Sequence, residues 1–460
     1  MPAESITTRL ARRLVELTYE DLPPAVVHKA KALLADTLLV AAAGQASPLG
    51  QGLRAALSPS SGRSRLWFVA PQTFMGPVEA AFVNTLHAGA LGYDSVNHKV
   101  HADLICLPAA WAMAEHTGAS SKAMLTAYIA ASEIVSRLSR SAVGKAAGWA
   151  DTSIYGGIGA AVAAGMLLKL TAEQLTHALG LAMAQAAGTQ QASIESTASR
   201  RLQPAFAARN GVFAAQLAAT GATAPNQALE GRFGLRALYQ SGDDKRLFQG
   251  LWQDWQLLDT ALKRYAICAC SQAAVAALEQ LQAEHHLHEQ HVVEIVGYVS
   301  AFMFRYVGAE FSLQGDLGML AQHNLRYHLA SVFLRGPITF EHLQPQALQD
   351  PAIARVVSKV HLRVDPHNDQ DFAPATVSVT LRDGQTLRST QQQVPGSSAA
   401  PLSQAELANK AEQCSSASGI SAGALLARVD ALEQTPLSEF WPAVGPFSSQ
   451  APINSSSEQG

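Results

Sequence analysis

Residues 154–168 read IYGGIGAAVAAGMLL, the longest apolar run in the chain. Three architectures compete for it: a membrane span, a glycine loop for a dinucleotide, and a helix buried inside a protein. Its fifteen residues fall short of the roughly 20 that cross a bilayer, and Lys169 ends the run. The glycines do not follow a strand in GxGxxG spacing, so no dinucleotide fingerprint is present. What remains is a helix rich in Gly and Ala, approached closely by its neighbours.

The flanks agree with that reading. Pro23 and Pro24 open a helix with Leu34, Leu38 and Ala41 on one face, stopped near Gly44. A Gly/Ser/Pro-rich loop over 44–64 and a short strand-like piece, RLWFVA at 65–70, are expected next. GPVEAAFVNTLHAGAL, LPAAWAMAEHTG and SSKAMLTAYIAASEIVSRLS all read as helices, the last capped by Ser120 or Ser121. Residues 171–174, TAEQ, form a capping box. After about residue 265 the period changes. HVVEIVGYVS reads as a strand with Val293, Ile295 and Val299 on one face. VSKVHLRVD and ATVSVTLRDGQTLRST alternate, and Asp383-Gly384 marks a hairpin turn. Helices LAQHNLRYHLASVFLRG and LQDPAIARVVSKV lie between these strands. The sequence therefore predicts a mainly α protein: an all-helical domain over 1–267, a smaller α+β lid domain over 268–400, C-terminal helices over 401–447 returning to the helical domain, and a disordered tail over 448–460.

Composition narrows function by exclusion. Of 460 residues, 48% are hydrophobic and 15% charged, with a formal net charge of -3. That balance favours neither nucleic acid nor an anionic membrane as partner, and leaves room for a small anionic ligand. Four cysteines, Cys106, Cys268, Cys270 and Cys414, form no disulfide framework and no zinc signature. Cys268-Ala-Cys270 is too tight for a CxxC pair. Reduced thiols and the lack of a signal-peptide pattern at the N-terminus suit a cytoplasmic location. No Walker loop and no GxSxG occur.

Chemistry concentrates in NHKVHADLICLPAA, residues 97–110. Asp94, His98, His101 and Asp103 crowd together there. HxxH matches no strong metal signature, whereas a free histidine is the natural acid–base group near neutrality. The same residues also suit a polar helix N-terminus capped by Asp94 or Asn97. Arg200, Arg201 and Arg209 stand in a charge-poor helix and suit a carboxylate ligand, or a solvated face. Lys263 precedes the domain change, and Tyr327 is a candidate proton donor.

These blocks resemble the MmgE/PrpD family, which includes 2-methylcitrate dehydratase, cis-aconitate decarboxylase and iminodisuccinate epimerase. GALGYDSVNHKVHADLICLPAAWAMAE resembles the family's HALDFDDTH…HPSA…LPA…ALAE block. RLQPAFAARNGVFAAQLAATGATAP…LEGRFG resembles KRLHPGRAAQNGVFAALLAARGFTGP…LEGKRG, and AQHNLRYHLASVFLRG resembles AQFSLPYSVAVALLRG. The glycine-rich stretch quoted first resembles the family's glycine-rich helix pair. Order and spacing cover nearly the whole chain.

The resemblance implies a helical domain with an α+β lid, a homodimer, a site between the domains, and no metal or organic cofactor. His101, Asp94, Lys263 and Tyr327 match catalytic positions of the family, and Arg200 replaces a lysine. Arg200 and Lys263, with His98 and Asp103 nearby, are assigned to substrate binding. The motifs diverge elsewhere. Gly92, Ser95 and Val96 replace the other residues of DFDDT, Gln203 and Gln272 replace histidines, and Gly148-Trp149-Ala150 stands for GFH with Asp151 beside it. The expected activity is a cofactor-independent lyase on a small di- or tricarboxylate. Dehydration or hydration of a 2-methylcitrate-type acid comes first, then epimerisation or isomerisation, then decarboxylation. The losses also suit a non-catalytic dimeric ligand-binding relative.

Overall fold

Close packing around glycine decides how the helices meet. The computed structural model describes residues 4–55, 61–144 and 148–441, and the chain is mainly helical with small sheets. Helix Asp151–Leu167 lies at the centre, packed by helices Ala102–Thr117, Ser121–Ser141, Ala172–Ala184 and Ser199–Ala219. At Gly211 a Cβ would run into the Gly157 carbonyl and stand 2.5 Å from the Ala160 methyl. At Gly159 it would stand 2.7 Å from the Cys106 sulfur. The opening stretch is thus a core helix whose glycines are occupied by neighbours. Among the described residues no helix is long and apolar enough to cross a membrane.

Helix starts follow cap chemistry. Ser120 Oγ accepts from the Ala123 N–H. Thr171 and Gln174 form the reciprocal box, at 3.2 and 3.0 Å. The expected loop over 44–64 contains a helix instead, Pro48–Ala55, because Pro48 suits a first helical position and Ser47 Oγ accepts from the Gly50 N–H at 3.1 Å. Of RLWFVA only Arg65 is in a strand: β1 (Ser64–Arg65) pairs antiparallel with β2 (Phe74–Met75).

The smaller domain carries a four-stranded sheet. Its strands are β3 (Val292–Val299), β4 (Val360–Val364), β5 (Ala375–Leu381) and β6 (Thr386–Gln391), in the order β4-β3-β5-β6. Only the β3–β4 pair is parallel. Helices Ala269–His285 and Leu325–Arg335 pack on it. Gly384 takes φ 90° in the β5–β6 turn. Val293 was expected to face inward, yet it is 52% exposed while Ile295 and Val299 are buried. A register irregularity between Val292 and Glu294 shifts the phase. The block LAQHNLRYHLASVFLRG is two helices, Leu317–His323 and Leu325–Arg335. Asn324 breaks it, its Oδ1 accepting from the Tyr327 N–H at 3.0 Å.

Helices Gln404–Ser418 and Ala422–Asp430 pack on helix Pro24–Gln45 of the helical body. All four cysteines are free and buried. The expected tail over 448–460 lies outside the described residues.

Candidate active site

The site forms where helix starts converge. His101 occupies the N-cap position of helix Ala102–Thr117 with no side chain capping that end. Its Nδ1 lies 2.6 Å from Asp94 Oδ2 and 2.8 Å from the Ser95 carbonyl. Both partners accept, so Nδ1 carries the proton and Nε2 is the nitrogen left for the cavity. The backbone N–H of His101 donates to Thr152 Oγ1 at 3.2 Å. Asp94 is almost wholly buried. Burial opposes its ionisation, but Lys263, His101 and Arg201 together outweigh that and hold its carboxyl far below the usual range.

Lys263 is buried beside them. Its Nζ donates to the Gly92 carbonyl at 2.6 Å and stands 3.9 Å from Asp94 Oδ1. Burial lowers its pKa, with Asp94 opposing. Gly92 has φ 62°, and a Cβ there would strike the Arg201 guanidinium. The room that an aspartate would take in the resembling motif is therefore filled by an arginine. Burial and then Arg200 bring Arg201 down to about 10. Arg200 donates to the Ser193 hydroxyl, and Arg201 to Gln322. Each guanidinium keeps an Nε with no hydrogen-bond partner, as does Asp94 Oδ1.

One cavity joins these groups. It opens to solvent, and the empty space within it and its mouth together is ≈ 890 Å³. From the helical body come Asp94, Lys99, His101, Asp151, Arg200, Arg201 and Lys263; from the smaller domain come Phe302, Tyr306, His323 and Phe372. Four fixed cations, Lys99, Arg200, Arg201 and Lys263, thus face two carboxylates, Asp94 and Asp151. Leu104, Phe302 and Phe372 add an apolar wall. His323 gives its Nδ1 proton to the Met319 carbonyl at 3.0 Å. Burial, Arg200 and Arg201 keep its ring neutral, so Nε2 is an acceptor. Burial pushes Asp151 up to about 6, against Lys99.

The structure brings together His101, Asp94, Lys263 and Arg200. It sets three other expected residues away from the cavity. Asp103 is buried one layer behind, accepting from Ser95 and Tyr128 at 2.6 Å each and from Ser132. It steadies the Ser95 loop and does not reach the ring of His101. His98 takes φ 49° and its Nδ1 meets the Ser139 hydroxyl at 2.8 Å, where burial and the nearby cations Lys99 and Arg140 disfavour its charged form. Tyr327 spends its hydroxyl on the His342 carbonyl, turned away by the helix break at Asn324. Asn97 is no cap either: Gln256, Thr260 and Arg140 hold its amide. The cavity tyrosine is Tyr306, whose side chain meets Gln190 at 2.5 Å. Tyr306 and His323 carry no sequence signal of their own, since only the fold draws them to the site; Lys99 and Cys268 lie close in sequence to His101 and Lys263, but the pattern does not mark them.

Family models match twice along the chain: the MmgE/PrpD N-terminal domain over residues 8–247 and the C-terminal domain over 265–431. The chain belongs to the MmgE/PrpD family. Similar proteins include the cis-aconitate decarboxylase-like protein oryM of Aspergillus oryzae, 24% identical over 84% of this chain and 86% of that protein. The cis-aconitate decarboxylase of Homo sapiens is 26% identical over 89% and 88%. That of Aspergillus terreus is 28% identical over 61% of each. In this MmgE/PrpD protein the junction between the two matched domains, 248–264, holds Lys263.

Proposed function

We propose that this chain is a cofactor-independent lyase of small polycarboxylates, and that its reaction is decarboxylation of an unsaturated tricarboxylate of the cis-aconitate type. The observation that carries the reading is His101, locked through Nδ1 to Asp94 and facing a cavity with four cations. Three relatives named as cis-aconitate decarboxylases or like them point to the same chemistry. Arg200, Arg201, Lys263 and Lys99 hold carboxylates by charge and paired hydrogen bonds. A carboxylate turned toward Leu104, Phe302 and Phe372 loses its hydration, which favours its departure as neutral CO2. The electron pair left behind spreads into a conjugated carboxylate steadied by a cation. His101 delivers a proton from Nε2 to the carbon, and Asp94 stabilises the imidazolium beforehand. One proton is consumed for each CO2 released, and solvent returns it to His101.

A second reading has its own observation. Asp94 Oδ1 is a buried acceptor that takes no hydrogen bond and has only the Lys263 ammonium near it, at 3.9 Å, so it has capacity for a substrate hydroxyl. That favours dehydration of a hydroxy-tricarboxylate such as 2-methylcitrate. Proton NMR in D2O with cis-aconitate, 2-methylcitrate, citrate and iminodisuccinate separates the cases. Deuterium gain with CO2 release supports decarboxylation; water loss supports the second reading. Exchange without conversion would move the enzyme to the epimerases, and no change in any of them overturns the lyase assignment.

The homodimer implied by the resemblance belongs to the same proposal. Helix Ser199–Ala219 exposes Phe206 and Phe213, two turns apart on one face. Light scattering that gives a monomer at micromolar concentration would remove it.

A further inference from the structure

The segment KRYAICACSQ, residues 263–272, puts two thiols on the cavity wall that the proposed reaction does not use. Cys106 and Cys414 are sealed in helix packing, whereas Cys268 is 9% exposed and faces the cavity; Cys270 beside it is 1% exposed. Cys268 stands at the N-cap position of helix Ala269–His285, an end that favours negative charge. Its neighbour Cys270 and the cations Arg200 and Lys263 all favour negative charge on its sulfur. Cys270 and the two cations overcome burial and hold the Cys268 thiol below its ordinary range, while burial and the neighbouring Cys268 push Cys270 up. These influences favour the thiolate at Cys268 over that at Cys270. The thiolate is the nucleophilic form. Arg200 and Arg201, which line the same cavity, supply what a thiolate alone lacks, a grip on a carboxylate.

We infer that Cys268 is a covalent modification site for small carboxylates bearing an electrophilic carbon, with the cavity's arginines holding the carboxylate while the sulfur attacks. With an α,β-unsaturated acid the S–C bond forms at the β-carbon. The π pair of the double bond moves to the α-carbon, which takes a proton from solvent, and the carboxylate is unchanged. With a haloacetate the S–C bond forms as halide leaves. Neither step needs an oxidant. The inference rests on the anion-binding character of the cavity and not on turnover.

The test uses the full chain, with iodoacetate, iodoacetamide and maleate as probes, read by intact mass and peptide mapping. A free thiolate reacts faster with the neutral iodoacetamide. Here iodoacetate should label Cys268 faster than iodoacetamide by about tenfold or more. Maleate should leave an adduct on the same peptide. Saturating tricarballylate, which occupies the site without reacting, should slow all three. Arg200→Gln should remove the preference for iodoacetate while the remaining adduct still maps to Cys268. Faster labelling by iodoacetamide, first labelling at another cysteine, or no protection by tricarballylate overturns the inference. Cys268→Ser should take no label; if it does not fold, mapping on the unsubstituted chain still locates the adduct. Because mass is the readout, a failed turnover assay and a failed labelling assay remain distinct results.

Discussion

His101 gains its role from a single nitrogen. Asp94 and the Ser95 carbonyl fix Nδ1, so the ring can pass a proton only through Nε2. His101→Asn keeps a donor for Asp94 but removes the shuttle. Turnover should fall by roughly 10²–10⁴ with the circular dichroism melt little changed; unchanged turnover would remove His101 from the mechanism. Asp94 also sets an acid limit. Its folded pKa lies below the unfolded value of about 3.9. Its stabilisation is therefore complete above that value and fades as pH falls toward the folded pKa. Asp151 works in the opposite sense. Burial raises it to about 6, so it is neutral below that pH and adds a negative charge to an anion site above it. KM for a polycarboxylate should rise as pH passes through this range, by a few-fold or about 1 kcal/mol. Asp151→Asn should hold KM flat. Initial rates on both sides of the transition check it, and a wild-type KM that stays flat excludes Asp151 as the cause.

Elements show what the sequence could and could not tell. Capping boxes and period changes depend on neighbours within a few residues, so the box at Thr171 and the hairpin at Asp383 are legible. The helix over 154–168 is legible too, since its Gly/Ala content reports close contact without naming the partner. Gly211→Ala tests that contact: the added methyl meets the Gly157 carbonyl and Ala160, and overpacking of this kind costs about 1–3 kcal/mol. Thermal or urea unfolding should show the loss, and a neutral outcome would mean that the two helices can separate at little cost. The break at Asn324 is not legible in the apolar pattern, which runs through it. The available signal was an N-cap residue inside a helical stretch. Its consequence is functional, because the break puts His323 on the cavity and Tyr327 behind it. Asn324→Ala should cost about 1 kcal/mol and raise KM through His323, whereas a stability loss with unchanged KM would show that the break does not position the site. Local pattern found His101, Asp94, Lys263 and Arg200. Tyr306 and His323 come from distant segments, and only tertiary packing brings them to the site; Lys99 lies beside His101 in sequence, but nothing in the local pattern marks it.

At the scale of the whole molecule, one buried lysine connects the returning C-terminal helix to the site. Lys410 is 3% exposed. Its Nζ lies 2.6 Å from Asp36 Oδ1 and donates to the backbone carbonyls of Tyr93, at 3.1 Å, and of Lys263, at 3.2 Å. Three distant segments therefore meet on one ammonium group, two of them next to Asp94 or carrying Lys263 itself. Burial outweighs the pull of Lys410 and raises the Asp36 pKa, so the pair is costly to bury and its parts are not interchangeable. Lys410→Met leaves the Asp36 carboxyl and two carbonyls without their donor. Stability should fall by about 3–5 kcal/mol, as for other buried pairs cut on one side. The double substitution Asp36→Leu with Lys410→Met removes the stranded carboxyl and should recover much of that loss. It does not restore the donor to the Tyr93 and Lys263 carbonyls, so kcat/KM should stay reduced in the double variant while its unfolding midpoint rises. Activity that recovers in step with stability would show instead that Lys410 serves folding alone, and that Lys263 holds its place without the C-terminal helix.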